Sequence, residues 1–228
     1  MKLVCFDIDG TILSTNGAGR RAIHRALVDV LGTAGPIDTF RLDGRTDGEI
    51  VRRLAEAAAV SHDDATVDRV IDRYVEHLRE EIARPGYATA VYPGVRDLLD
   101  VLEERTDCVI GLLTGNVARG AAAKLRSADL DFERFRVNAF GSDHHVRSEL
   151  PAVAQRRARE LLGHHVAGAD VVIIGDTPAD VQCGRGIGAR AIGVATAAYT
   201  VEQLMEAGAY AAFGDLSDTV AVVGAIFA

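Results

Sequence analysis

The chain has 228 residues, 48% hydrophobic and 25% charged, enough apolar material to bury a core in one large or two small domains. Its net charge of −8 argues against a nucleic-acid partner, which favours a basic surface. No apolar run is long enough to span a bilayer, and the amino terminus has no secretory pattern, so no membrane partner and a cytoplasmic location are expected. Cys5, Cys108 and Cys183 are odd in number and widely spaced, which argues against a disulfide framework.

An apolar run from Leu3 to Phe6 reads as a buried strand ending in Asp7-Ile8-Asp9-Gly10-Thr11. Strand residues two apart point the same way, so Asp7 and Asp9 can share a pocket at the strand's carboxyl end. Open α/β sheets place their ligands at that end. Paired carboxylates repel unless a cation lies between them, and Mg²⁺ prefers oxygen donors.

Residues from about 15 to 88 show helical stripes only: Ile23, Leu27, Val30 and Leu31, then Ile50, Leu54 and Ala58, then Val67, Val70, Tyr74 and Leu78. Beyond Tyr92-Pro93-Gly94, apolar runs at Val109–Thr114 and Val171–Asp176 alternate with helical patterns. A weaker run follows at Ala189–Ala195, and Tyr210–Phe213 reads as a short edge strand. The expected fold is a doubly wound, parallel α/β sheet, Rossmann-like, with an inserted all-helical module. The expected division is a core of residues 1–14 and 89–228 and a helical cap of residues 15–88.

Further polar clusters stand at the strand ends: Thr114-Gly115-Asn116 and Gly175-Asp176-Thr177-Pro178-Ala179-Asp180, with Arg147 in a polar stretch between them. A hydroxyl, an amide and backbone N–H groups ahead of a helix suit an anion. Each cluster alone has an ordinary explanation as a turn, a cap or a surface charge. A parallel sheet brings the strand ends together, and their joint placement favours a site.

These motifs, in this order, resemble the haloacid dehalogenase (HAD) superfamily of hydrolases, and the helical insertion looks like the cap of its phosphoglycolate phosphatase and β-phosphoglucomutase subgroup. The resemblance implies that Asp7 is a nucleophile forming an aspartyl-phosphate and that Asp9 is its acid–base partner, with Gly10 in the same motif. It implies Mg²⁺ held by Asp7, the Asp9 carbonyl and Asp176, with Asp180 in support, and phosphate held by Thr114, Gly115 and Asn116. The family's third motif carries a lysine. Lys124 follows the second motif too soon, so Arg147 is assigned that charge in preference to Arg156 and Arg157.

Asp9 and Asp176 argue against a metal-free dehalogenase, and the absence of lysine from residues 15–88 argues against a phosphonoacetaldehyde hydrolase. The turn Asp43-Gly44-Arg45-Thr46-Asp47 resembles a substrate-contacting turn of such caps, which implies that Arg45 pairs with a substrate carboxylate or phosphate and that Thr46 and Asp47 bond to the substrate or to the core, although Thr46 or Asp47 can equally be a helix cap. The expected activity is Mg²⁺-dependent hydrolysis of a small phosphate ester, with phosphoglycolate the leading candidate. The alternatives are a β-phosphoglucomutase-like transfer and a non-catalytic phosphate-binding protein.

Overall fold

In the computed structural model, which describes residues 1–228, the first apolar run forms β1 (Lys2–Phe6), in the interior of a six-stranded sheet. Its residues alternate between two apolar clusters, Val4 and Phe6 in one and Leu3 and Cys5 in the other. A strand buried on both faces needs helices on both sides.

From β1 the chain passes through β2 (Leu13–Ser14) into α1 (Ala18–Leu31), α2 (Asp47–Ala57) and α3 (Asp64–Ile82), and returns through β3 (Ala90–Val91). β2 and β3 pair antiparallel, so the outgoing and returning segments are tied side by side. The helical stripes close on their own apolar cluster, in which Ile23, Leu27, Leu54, Val70 and Leu78 meet Val117. Thr46 and Asp63 cap α2 and α3, accepting from the N–H groups of Glu49 and Thr66.

The chain then runs through α4 (Val95–Glu103), β4 (Cys108–Thr114), α5 (Ala118–Ser127), β5 (Val137–Phe140), α6 (Leu150–Leu162) and β6 (Val171–Gly175). It finishes with α7 (Pro178–Cys183), β7 (Arg190–Val194), α8 (Val201–Glu206), β8 (Ala211–Phe213) and α9 (Thr219–Phe227). The strand order is β5-β4-β1-β6-β7-β8, parallel throughout. After β1 the sheet grows to one side with β4 and β5, then to the other with β6, β7 and β8. That reversal makes the carboxyl end of β1 the switch point of the sheet, where α/β folds open a crevice.

The register levels the ends that matter. Phe6 lies opposite Leu112 of β4 and Ile174 of β6, so Asp7, Thr114 and Asp176 emerge together. The Asp7 N–H donates to the Ile174 carbonyl at 2.9 Å, which carries the pairing one residue past the strand. β5 was absent from the expected strands, and so was the β2–β3 pair. No helix is long and apolar enough to cross a membrane.

Candidate active site

Past β1 the backbone turns tightly, and the Ile8 carbonyl accepts from the N–H groups of Thr11, Ile12 and Leu13. Gly10 has φ +84°, and a Cβ there would collide with the Asp176 carboxylate. Glycine is therefore required twice over, for the dihedral and for the close approach. Thr11 donates its hydroxyl to Asp176 Oδ1 at 3.1 Å, which fixes that carboxylate against the turn. Asp180 lies in the first turn of α7, where it and Thr177 form a reciprocal capping box.

Oxygens of Asp7, Asp176 and Asp180 all lie within 4.8 Å of one another. Burial raises the Asp7 carboxyl above the usual range; Arg147 draws it down, while Asp180 and Asp9 push it up. Burial also raises Asp176, reinforced by the charges of Asp180 and Asp7. Asp7 Oδ1 is buried and accepts no hydrogen bond. A buried carboxylate oxygen that accepts no hydrogen bond and has only the Arg147 guanidinium near it, inside a cluster of hard, mutually repelling donors, suits a divalent cation such as Mg²⁺, so these residues fit the metal that the sequence implied. Asp180 spends one oxygen on Arg147 and the other on Thr177, whose N–H lies at 3.0 Å and hydroxyl at 2.7 Å. That leaves Asp180 better suited to support than to ligation.

Arg147 reaches the floor of the cavity. Its Nη2 pairs with Asp180 and lies 3.2 Å from Asp7 Oδ1. Arg156 is exposed, and Arg157 pairs with Asp143. Lys124, set aside as the third-motif charge, also enters the cavity. Only 3% exposed, it projects from α5 so that Nζ meets Asp9 Oδ2 at 2.5 Å and Asn116 Oδ1 at 2.6 Å. Burial opposes the charge on Lys124, but Asp9, Tyr74 and Asp47 outweigh it and hold the ammonium protonated. Spacing along the chain was a poor guide, because α5 starts at the end of β4 and a long side chain on its second turn leans back toward the helix N-terminus and so toward that strand end. The available signal was a lysine among small residues, Gly120, Ala121 and Ala122, on a helix whose buried face includes Gly120, Ala121 and Leu125.

Thr114 is fully buried at the end of β4, and its hydroxyl accepts from Asn116 Nδ2 at 2.8 Å. Asn116 Nδ2 also donates to Asp9 Oδ2 at 2.8 Å. Arg45 lines the cavity and pairs with Glu49. Thr46, expected beside the ligand, is fully buried and does not line the cavity. Its hydroxyl caps α2 and donates to the His145 carbonyl at 2.6 Å. The neighbouring Asp47 joins the helices to the sheet, its N–H donating to the Gly115 carbonyl and its carboxylate accepting from the Val117 N–H, both at 2.8 Å. Burial raises the Asp47 carboxyl to about 6. The bond of Asp47 to the core is one of the alternatives the sequence left open, whereas the part of Tyr74 and Arg20 in the cavity wall was not read from it.

One cavity of about 320 Å³ contains this arrangement, with Asp7, Asp9 and Asp176 on its floor and side chains of α1, α2 and α3 on the opposite wall. Its volume lies at the small end of ligand sites and suits a metabolite-sized molecule. A parallel sheet with carboxylates gathered at its switch point, beside buried cations, is an arrangement that can hold a metal ion and an anionic ligand. Residues 1–188 match the family model of haloacid dehalogenase-like hydrolases, and the chain belongs to that family. Its fold matches a hydrolase from Pseudomonas syringae at 20% identity, with 99% of each chain covered and a TM-score of 0.76. It also matches a predicted phosphoglycolate phosphatase from Haemophilus somnus 129pt at 16% identity, 98% of each chain and 0.72. A third match is a mutant of CbbY from Rhodobacter sphaeroides in complex with xylulose-(1,5)bisphosphate, at 20% identity, 96% of each chain and 0.75. No curated protein sequence matches the chain.

Proposed function

We propose that this chain is a Mg²⁺-dependent phosphatase that hydrolyses a small phosphomonoester through an aspartyl-phosphate on Asp7. The observation that carries the reading is the pairing of Asp7 and Asp9 at one strand end, in a cavity that also holds Lys124 and Arg147. Residues 15–88 act as a cap over a core of residues 1–14 and 89–228. Asp7 attacks phosphorus, and the ester P–O bond breaks. Asp9 gives its proton to the departing alkoxide. It then takes a proton from the water that attacks the phosphorylated Asp7, whose P–O bond breaks to release phosphate and restore the carboxylate.

The two hydrogen bonds from Lys124 and Asn116 both fall on Asp9 Oδ2, which leaves Oδ1 to exchange the proton. Thr114, Gly115 and Asn116 form the phosphate cradle, and Arg147 balances charge beside Asp7. Mg²⁺ held by Asp7, the Asp9 carbonyl and Asp176 would neutralise charge on the phosphoryl oxygens.

The cavity volume favours a small ester, and phosphoglycolate is the leading candidate. The test is phosphate release from phosphoglycolate, sugar phosphates and nucleoside monophosphates, with Mg²⁺ and with EDTA. Metal-dependent release concentrated on one ester supports the reading. Isomerisation of a sugar phosphate that requires a bisphosphate primer would replace it with a mutase, and no turnover of any kind would replace it with a phosphate-binding role.

A further inference from the structure

Four cations line the cavity: Arg20, Arg45, Lys124 and Arg147. Three have carboxylate partners. Lys124 pairs with Asp9, Arg147 with Asp180 and Asp7, and Arg45 with Glu49. Arg20 does not. Its Nη1 donates to the Ile37 carbonyl and its Nη2 to the Phe40 carbonyl, the latter at 3.0 Å, and both acceptors are neutral.

The acids on the same wall are already engaged. Asp43 pairs with Arg41 at 3.2 Å, and Asp47 accepts from the Val117 N–H. A guanidinium stays charged and carries five N–H donors, so two carbonyl bonds leave both charge and donors unused. Arg20 is half-buried, which raises the value of any counter-charge that reaches it.

We infer that Arg20 recognises a second anionic group on the substrate, a carboxylate or another phosphate, while the first phosphate lies over Asp7. This rests on the proposed phosphatase reading and narrows it to phosphomonoesters that carry another negative charge. Arg20 belongs to α1, on the wall opposite the sheet, so it meets the end of the ligand that does not react. Arg45 is the weaker candidate for the same task because Glu49 already neutralises it.

The experiment compares kcat/KM for 2-phosphoglycolate, for a sugar bisphosphate and for 2-hydroxyethyl phosphate, whose tail is uncharged. In Arg20→Gln the preference for an anionic over an uncharged tail should fall at least about tenfold, the worth of a charge-assisted hydrogen bond. Arg20→Lys keeps the charge but not the planar fork, and should retain most of the preference. The ester that loses more in Arg20→Gln identifies the anion. An equal loss on all three esters in both variants would overturn the inference and make Arg20 a clamp for the Ile37–Phe40 loop. So would an unchanged preference. Calorimetric binding of the same esters to Asp7→Asn and to Asp7→Asn/Arg20→Gln separates the two claims. If the wild type turns over none of them, weaker binding of only the charged esters to the double variant would uphold Arg20 while the phosphatase reading fails.

Discussion

The floor of the cavity and the helices above it are held in different ways. On the floor, parallel register fixes Asp7, Thr114 and Asp176, and Gly10 leaves no space beneath Asp176. The helices have a separate apolar cluster and share only Val117 with the sheet region. They meet the sheet through polar contacts: Thr46 with the His145 carbonyl, Asp47 with Gly115 and Val117, and Asp72 with Arg119. A rigid floor suits bond-making, where small displacements are costly. A layer attached by a few polar contacts can shift to admit a ligand without disturbing that floor.

The largest expected effect breaks the floor alone. Asp7→Asn should lower phosphate release by about 10³-fold or more, because an amide is a poor nucleophile. Its far-ultraviolet circular dichroism should not change. Without Mg²⁺ its melting temperature should hold or rise, since one of three clustered carboxylates has been neutralised. Substantial activity in a clean preparation would defeat the aspartyl-phosphate.

Metal addition tests the same cluster without chemistry. Mg²⁺ that binds only the folded chain at about 100 times its Kd adds about 2.7 kcal/mol of stability. A thermal melt should therefore shift upward with Mg²⁺ and return with EDTA, and Asp176→Asn should shrink the shift. A melt indifferent to Mg²⁺ would leave the carboxylate cluster without its proposed role.

The cations test how the floor is balanced. Lys124→Met should lower turnover by about 10²-fold, as expected for loss of a positioned charge at the reacting groups. Its cost in stability should be modest, because Asp9 is only half-buried and water can replace the ammonium. Arg147→Ala should destabilise more, by about 3–5 kcal/mol, because the fully buried Asp180 would lose its counter-charge. Exposed Arg156→Ala should stay within about 0.5 kcal/mol. Urea melts beside rate measurements separate the three, and an Arg156 effect as large as that of Arg147 would refute the placement of charge.

Much of the floor was legible because chain order and strand direction are enough to gather strand ends. Continuous apolar runs marked β1, β4 and β6, and their polar exits marked Asp7, Thr114 and Asp176. β5 was missed because Arg136-Val137-Asn138-Ala139-Phe140 lacks such a run. Asn138 interrupts it, and its side chain accepts from the Leu112 N–H and donates to the Phe135 carbonyl. The β2–β3 pair is too short to show a period. The place of Lys124 in the cavity was not legible, because it depends on a long side chain leaning back along α5 toward the end of β4. The competing readings of Thr46 were visible, but its burial and its bond to His145 depend on tertiary contact.

The smallest expected effect sharpens the contrast between the two layers. Thr46→Val removes the cap of α2 and the bond to the His145 carbonyl, and should cost about 1–2 kcal/mol of stability. Thr200→Val is the control, because Thr200 also caps a helix, α8, but is exposed, and its hydroxyl is hydrogen-bonded only to the Gln203 N–H of that helix. It should cost about 1 kcal/mol and leave the kinetics unaltered. If the polar contacts guide the helices over the floor, Thr46→Val should also raise KM by a few fold, about the effect of one lost hydrogen bond, with kcat less affected. The two threonines would then differ in kinetics while resembling each other in stability. Matching kinetics in both variants would show that α2 needs only its cap at this position, and that Asp47 must carry the connection to the sheet.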